Sequence, residues 1–367
     1  MPEPHTEAGP SFPWKISPPL QRKLLRLRSV FFPLYWGNRY EQIGKRPSVV
    51  ELKVTQALLA VVQLTRGRAS AGDFVPLASR QRILQRFHAF RVAPFDFSTT
   101  RKSTLPSLRA LWVVHPKDFD VLPWSVEALL RHSLNPITEV HIITPDVEGA
   151  KNSLPPHVMS QAPVTFRNDS ELIDRETSKI LDSAFGSHSG WAKQQIIKVL
   201  ASLEEGPTNT LVIDSDTILL QDKAWLLPGN VQLLYFRAFI NPRYHDYLEE
   251  WGLRKIDRNR SFVTHHMLFQ ADMLKKILVA RFTSTEPRSI ARALARSSQR
   301  LGFPEFSLDY ELYGQAMALE HPENLIWDKY SNLGISRPQE MGSWESLIQS
   351  LRDEGNFNSV SFHLPNR

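Results

Sequence analysis

The feature that most restricts this chain is an apolar run broken by two carboxylates, Thr210-Leu211-Val212-Ile213-Asp214-Ser215-Asp216-Thr217-Ile218-Leu219-Leu220. A stretch this apolar, and this rich in β-branched residues, reads as a strand buried on both faces of a sheet. A carboxylate without a partner is costly in such surroundings. Asp214 and Asp216 therefore belong where the strand ends and the chain bends, so that both can turn toward one bound cation. Hard divalent ions take oxygen ligands of this kind, and Mg²⁺ commonly shares itself with substrate phosphates. The plainer alternative is a strand-end turn with solvated acids.

The 367 residues, 42% of them hydrophobic, suffice for one large domain with additions or for two domains. There is no cysteine. Disulfides and thiolate metal sites are thereby excluded, and a reducing, cytoplasmic setting is expected. The first residues show no basic segment followed by an apolar core, so no secretory signal is read there. Ala57-Leu58-Leu59-Ala60-Val61-Val62 is far too short to span a membrane. The net charge of +6 is uneven: residues 1–100 hold 15 basic and 6 acidic side chains, the remainder 29 and 32.

Along the chain, residues 1–19 are proline-rich and aperiodic, a loose arm. Residues 20–31 read as a helix with Leu20, Leu24, Leu27 and Phe31 on one stripe and Arg22, Lys23, Arg26 and Arg28 around it. Such a helix either lies peripherally on an anionic membrane surface, here the inner face, or packs on the next domain with a solvated basic edge. No nucleic-acid reader motif accompanies it, and no nucleic-acid partner is expected. Further helices are expected at 47–64 and 77–90. Residues 1–104 thus form a mainly helical accessory region, and residues 105–367 the domain that carries the chemistry.

From residue 108 the pattern becomes strand, helix, strand: 108–114, 121–132 and 139–144. That is a parallel crossover unit. Ligands bind at the carboxyl ends of such strands, so the loop His115-Pro116-Lys117-Asp118 falls where a nucleotide could sit. Residues 190–200 read as a helix with Ile196, Ile197, Val199 and Leu200 toward a core. Trp191, Lys193 and Gln194 face the site if its N-terminal end opens there, and Lys193 and Lys198, five apart, do not share a face cleanly. Residues 261–269 read as a strand containing His265 and His266; neighbours on a strand point to opposite faces, so at most one enters a given cleft. Residues 274–301 form an arginine-rich helical stretch. Ser307 is a candidate N-cap, with Asp309 and Glu311 in the first turn beside the helix dipole. His363 follows a short β-like piece close to the last residue, and its apolar neighbours suggest docking.

Taken in order, Trp112-Val113-Val114-His115-Pro116-Lys117-Asp118, the helix from Gly190-Trp191 to Lys198, Leu211-Val212-Ile213-Asp214-Ser215-Asp216-Thr217, Phe262-Val263-Thr264-His265-His266-Met267-Leu268-Phe269, Asp309-Tyr310-Glu311-Leu312-Tyr313-Gly314 and Ser361-Phe362-His363 resemble the GT-A class of nucleotide-sugar glycosyltransferases. The closest likeness is to bacterial relatives of the family-8-like enzymes. The resemblance covers residues 108–367. It implies an α/β fold, a Rossmann-like mixed sheet flanked by helices, and transfer of a hexosyl or related sugar from a nucleotide-diphosphate donor, UDP-sugars among them, to a glycan acceptor in surface-polysaccharide assembly. It further implies Mn²⁺ or Mg²⁺ held by Asp214, Asp216 and His363, the ion stabilising the leaving diphosphate as a Lewis acid. His115, Lys117, Asp118, Trp191, Lys193, Gln194, Lys198, Asp214 and Ser215 would border the donor. His265 or His266 would line the acceptor side, and Asp309 or Glu311 would serve as general base if the enzyme inverts. The arginine-rich residues 281–300 and residues 1–104 have no counterpart in the resemblance.

Two rival readings stand beside it. A phosphatase of the haloacid dehalogenase class also carries Asp-x-Asp after an apolar strand, with the first Asp as nucleophile. It calls for a Thr or Val where this chain has Ile218 and for a later Asp-Asp or Gly-Asp-x-x-x-Asp motif, and neither motif follows Asp216. A transferase-like fold that only binds a glycan is the other, since a fold does not fix a function.

Overall fold

Alternation along two strands decides the layers. In β1 (Leu108–Val113), Leu108, Ala110 and Trp112 enter one hydrophobic core, and Leu111 and Val113 enter another. In β4 (Asn209–Asp214), Leu211 and Ile213 join the first core and Val212 the second. Both strands are therefore buried on both faces, as an apolar run without polar alternation requires. The computed structural model describes residues 95–97, 104–204, 209–237, 241–253, 260–336, 344–355 and 357–363. The helices expected at 20–31, 47–64 and 77–90, with the membrane contact of the first, lie outside the described residues. Phe95 donates its backbone N–H to Asp328 Oδ1 at 3.2 Å, and Phe97 packs against the first core.

The central sheet has the order β3-β2-β1-β4-β8. β2 (Ile137–Thr144) and β3 (Val164–Asn168) extend it in parallel from β1, and β4 lies parallel on the other side. β8 (His266–Gln270) closes the edge antiparallel to β4. The crossover from β1 to β2 is α1 (Leu122–His132), which buries Leu122, Val126 and Leu129 in the first core. This is the strand–helix–strand unit expected at 108–144. The chain is α/β, with a mixed sheet flanked by helices.

α2 (Val147–Ser153) and α3 (Pro156–Met159), between β2 and β3 in the chain, contribute to the first core. The second core lies under helices. α4 (Arg175–Phe185), α5 (Ser189–Ala201), α6 (Pro242–Glu250), α7 (Ala271–Phe282), α8 (Pro287–Leu301) and α9 (Glu311–Glu320) all contribute to it. The first core is covered by α1, by α10 (Trp344–Glu354) and by two small sheets. One has the order β10-β11-β5, built from β10 (Asn332–Ser336), β11 (Ser359–His363) and β5 (Thr217–Leu219). The other has the order β6-β7-β9, from β6 (Leu226–Leu227), β7 (Val231–Phe236) and β9 (Leu325–Lys329). Among the described residues no helix is long and apolar enough to cross a membrane.

Three local expectations change. The apolar run is two strands: β4 stops at Asp214, Ser215 and Asp216 turn, and β5 starts a different sheet at Thr217. The stretch 274–301 is two helices, because Thr283 takes a left-handed conformation (φ +60°) and Pro287, lacking an N–H, opens the next helix. The strand expected at 261–269 begins only at His266, and His265 before it is also left-handed, at φ +66°.

Candidate metal and donor site

Asp214 ends β4, in register with Val113 at the end of β1. The candidate site thus sits at the carboxyl ends of two adjacent parallel strands, where ligands of open α/β sheets bind. One Asp214 oxygen, Oδ1, accepts from Lys198 Nζ at 2.5 Å and from the Tyr310 hydroxyl at 2.6 Å. The other, Oδ2, lies 3.1 Å from His265 Nδ1. Its backbone N–H donates to the His265 carbonyl at 2.9 Å. His265 takes a left-handed conformation before β8 and reaches Asp214, while its neighbour His266 points away and bonds Trp225.

Lys198 lies on α5 with 3% of its side chain exposed. Besides Asp214 it donates to Asp309 Oδ2 at 3.0 Å and to the Tyr310 oxygen at 3.2 Å. Burial works against its charge, but the two carboxylates outweigh it and hold the ammonium above its usual range. Burial likewise pushes the Asp214 carboxyl up, and Lys198 and then His265 overcome this, holding it well below the usual carboxylate range. Burial and the charges of Asp214 and Asp309 push the Tyr310 phenol well above its usual range, so its proton stays in the bond to Asp214. Asp214 is thereby kept ionised and fixed in direction.

Asp216 follows on the turn. Its carbonyl accepts from the Phe362 N–H of β11 at 2.8 Å, and Thr217 Oγ1 lies 2.7 Å from Ser361 Oγ. Ser215, buried, donates to Asp118 Oδ2 at 2.9 Å and pins the turn to the loop after β1. Asp214, Asp216 and His265 each offer one ligand atom, and these atoms lie within 4.8 Å of one another. Two carboxylates and an imidazole suit Mn²⁺ or Mg²⁺ by donor chemistry, the nitrogen favouring the former. Lys198 and Arg237 bring two positive charges to a group that also holds Asp214, Asp309 and Asp216, so a further cation still fits the local charge.

The remaining expected residues fall in two sets. Near the cluster are Asp118, through Ser215, and Gln194, whose Nε2 donates to the Val113 carbonyl at 3.0 Å. His115 and Lys117 are exposed on the same loop, where His115 Nδ1 accepts from the Lys117 N–H at 3.3 Å. Trp191 packs on Phe306 (5.0 Å between ring centroids) and stacks toward Tyr244 (6.5 Å). Lys193 is paired elsewhere, 2.8 Å from Asp182 of α4, because five helical residues separate it from the face of Lys198.

Glu311 does not offer a free base. Its Oε2 accepts from Ser261 Oγ at 2.8 Å and the Phe262 N–H at 3.0 Å, and its Oε1 from Gln315 at 3.0 Å. Asp309 is likewise engaged, by Lys198 and by the Tyr310 N–H at 2.9 Å. His266 is sealed from the site: Trp225 Nε1 donates to its Nδ1 at 3.0 Å, and burial drives its pKa to about 3. The backbone of His363, the last residue of β11, pairs with Ser336 of β10, one residue beyond the Phe362 N–H that meets Asp216; its side chain lies outside the described residues. Two residues given no role from sequence join the site. Tyr310 stands in a motif already quoted, yet nothing marks a tyrosine beside two acids as a partner for a third. Arg237, whose Nη1 lies 3.2 Å from His265 Nε2, follows an ordinary strand and carries no signal at all.

No family model and no curated protein matches the chain. Among solved structures it is similar to mouse xyloside xylosyltransferase 1 in its apo form, at 13% identity and a TM-score of 0.40, over 71% of this chain and 100% of that one. It is also similar to the apo bifunctional glycosyltransferase WbbM, at 10% identity and a TM-score of 0.38, over 71% of this chain and 46% of that one. The match thus spans less than half of WbbM. At this level of similarity neither structure transfers a function to this chain.

Proposed function

We propose that this chain is a GT-A-type glycosyltransferase that moves a sugar from a nucleotide-diphosphate donor to a glycan acceptor with Mn²⁺ or Mg²⁺. The observation that carries the reading is the convergence of Asp214, Asp216 and His265 at the carboxyl end of β4, beside the end of β1. Asp216 and Asp214 would hold the ion, with His265 or His363 as a third ligand. When bound, the ion supplies Lewis-acid stabilisation to the departing diphosphate.

The protein's own residues prepare that place. Lys198 and Tyr310 keep Asp214 charged and aimed, and Ser215 and Asp118 fix the turn that presents Asp216. His115, Lys117 and Gln194, at the end of β1, border the nucleotide in this reading. Lys198, saturated by Asp214 and Asp309, acts through Asp214 and does not reach the donor directly. Asp309 and Glu311 take positioning roles: the first holds Lys198, the second holds the Ser261–Phe262 backbone that leads into His265. The role in surface-polysaccharide assembly rests on the sequence resemblance alone. The phosphatase reading is the weaker one, since the Asp-Asp or Gly-Asp-x-x-x-Asp motif that class calls for does not follow Asp216 in the sequence.

The test is a thermal-shift panel of nucleotide sugars, UDP-sugars first, with and without Mn²⁺, followed by assay of released nucleoside diphosphate. Saturating donor at about 100 Kd should stabilise the protein by about 2.7 kcal/mol, and only with the ion present. Asp216→Ala should keep its melting temperature and lose turnover by at least about a hundredfold. Unchanged turnover in that variant would remove the assignment. In the same assay, whichever of His265→Ala and His363→Ala weakens Mn²⁺ binding identifies the third ligand.

A further inference from the structure

The arginine-rich residues 281–300 take no part in the candidate site, and α8 holds four of their five arginines. Arg288, Arg292, Arg296 and Arg300 follow one another at intervals of four residues. Each interval turns about 40° round a helix, so the four stand within an arc of about 120°, in a row about 18 Å long. The buried residues of α8 are Ile290, Ala291, Leu294, Ser297 and Ser298. At about 100° per residue, their stripe is centred opposite the arginine arc. No acidic residue lies within α8.

Such a row works against the helix that carries it. Like charges four residues apart repel, and Arg288, in the first turn, also opposes the helix dipole. The fold answers this at the two ends. Arg288 pairs with Asp174 at 2.7 Å, and Arg300 pairs with Glu250. Arg292 and Arg296, between them, are exposed and meet no carboxylate among the described residues. Burial of the opposite face seats α8 without their help. Nothing inside the fold uses this row, and its charge points outward, to a partner with many negative groups.

The shape of the row narrows that partner. Side chains rooted about 6 Å apart along a helix ridge address a succession of phosphates more readily than one small anion, and a guanidinium pairs with each of them well. α8 has no aromatic residue on which a nucleic-acid base could stack. The exposed large apolar side chains, Met159 and Val279, lie on other helices, so α8 makes contact by charge and not by insertion. Four or more basic residues on one amphipathic helix suit anionic lipid headgroups. We infer that α8 docks the protein on the surface of a bilayer containing anionic phospholipid, with Arg292 and Arg296 at the centre of the contact and Arg288 and Arg300 flanking them. This surface is distinct in sequence from the basic residues 20–31. It goes beyond the transferase reading and does not depend on it.

The test is co-sedimentation of the full chain, without metal or nucleotide, with phosphatidylcholine vesicles that contain or lack phosphatidylglycerol. The wild type should bind the anionic vesicles at about 0.1 M salt and leave them at about 1 M, where charges are screened beyond about 3 Å. Arg292→Gln with Arg296→Gln should weaken that binding about thirtyfold, about fivefold for each charge removed. Arg131→Gln with Lys151→Gln takes the same charge from α1 and α2 and should leave binding unchanged. Circular dichroism checks that both double variants are folded. Failure of the wild type to bind, or equal binding to vesicles without phosphatidylglycerol, would overturn the inference. So would an equal loss in both double variants, which would report net charge alone, or no loss in the α8 variant, which would move the contact elsewhere in the chain. Tighter binding to duplex DNA than to vesicles, lost in the α8 variant, would make the face a nucleic-acid surface instead. Donor turnover is not read in this experiment, so its failure and the failure of the transferase reading are distinguishable.

Discussion

A buried lysine shared by two carboxylates is an unusual expense for a fold to carry, and Lys198 makes clear what it holds in place. It meets Asp214 at 2.5 Å and Asp309 at 3.0 Å with 3% of its side chain exposed. Removing one partner of a buried ion cluster leaves uncompensated charge, which typically costs about 3–5 kcal/mol. Lys198→Met, close in length and apolar, should therefore lose about that much in urea denaturation. Adding Asp309→Asn should return part of the loss, because one of the two stranded charges is then gone. A double-mutant cycle with no coupling between the positions would show that the two do not act as a unit. The sequence could place Lys198 on a helix near the site, but its role as a counter-ion depends on Asp309, 111 residues further along the chain. No local pattern encodes that distance.

At the scale of elements, the candidate site depends on how α9 meets the segment before β8. Gly314 of α9 lies against Phe262: a Cβ there would sit 2.3 Å from the Phe262 ring. Phe262 is fully buried and cannot retreat easily. Gly314→Ala should thus destabilise the protein by about 1–3 kcal/mol through overpacking, although alanine is the better helix former in isolation. A variant as stable as the wild type in urea would mean that Phe262 moves freely. The same segment shows what could be read beforehand and what could not. β1, α1, β2 and β4 were legible because apolar periodicity and burial agree in them, and the aspartates were expected at a strand end, where they are. The segment 261–265 reads as strand in the sequence, since Val263 and Phe262 have β-type side chains, while the decisive feature is a left-handed histidine. Histidine adopts that conformation more readily than most residues, but nothing in the sequence says where. The break at Thr283 is hidden in the sequence for the same reason, and only Pro287, close by, signals it.

At the scale of the whole molecule, the central sheet and the small sheet β6-β7-β9 are joined around one neutral imidazole. His266 opens β8 and is ringed edge-on by Trp225, Tyr235 and Tyr330, at 5.5, 5.2 and 4.4 Å between ring centroids. The Trp225 N–H donates to its Nδ1 at 3.0 Å, so that nitrogen carries no proton. A second proton would have to enter there, facing another N–H. Burial is the main cause of its low pKa, about 3 against 6.5 for a free histidine, with His265 and Lys223 adding to it. As pH falls below about 6.5 the unfolded chain takes up a proton that the native state refuses. The stabilising contribution is therefore complete above about 6.5 and is lost progressively toward pH 3, at a slope approaching 1.4 kcal/mol per pH unit. Denaturation between pH 4.5 and 7.5 should show this slope. His266→Gln keeps an acceptor for Trp225 but has nothing to titrate, so it should flatten the slope by nearly one proton equivalent. Some slope will remain from His132, whose pKa burial also lowers. At pH 7.5 the variant should be less stable by about 1–3 kcal/mol, because the amide fits the aromatic ring of neighbours less well than the imidazole. If the variant and the wild type lose stability in parallel as the solution is acidified, His266 takes up its proton without opening the junction, and the joint between the two sheets is looser than the packing of its rings indicates.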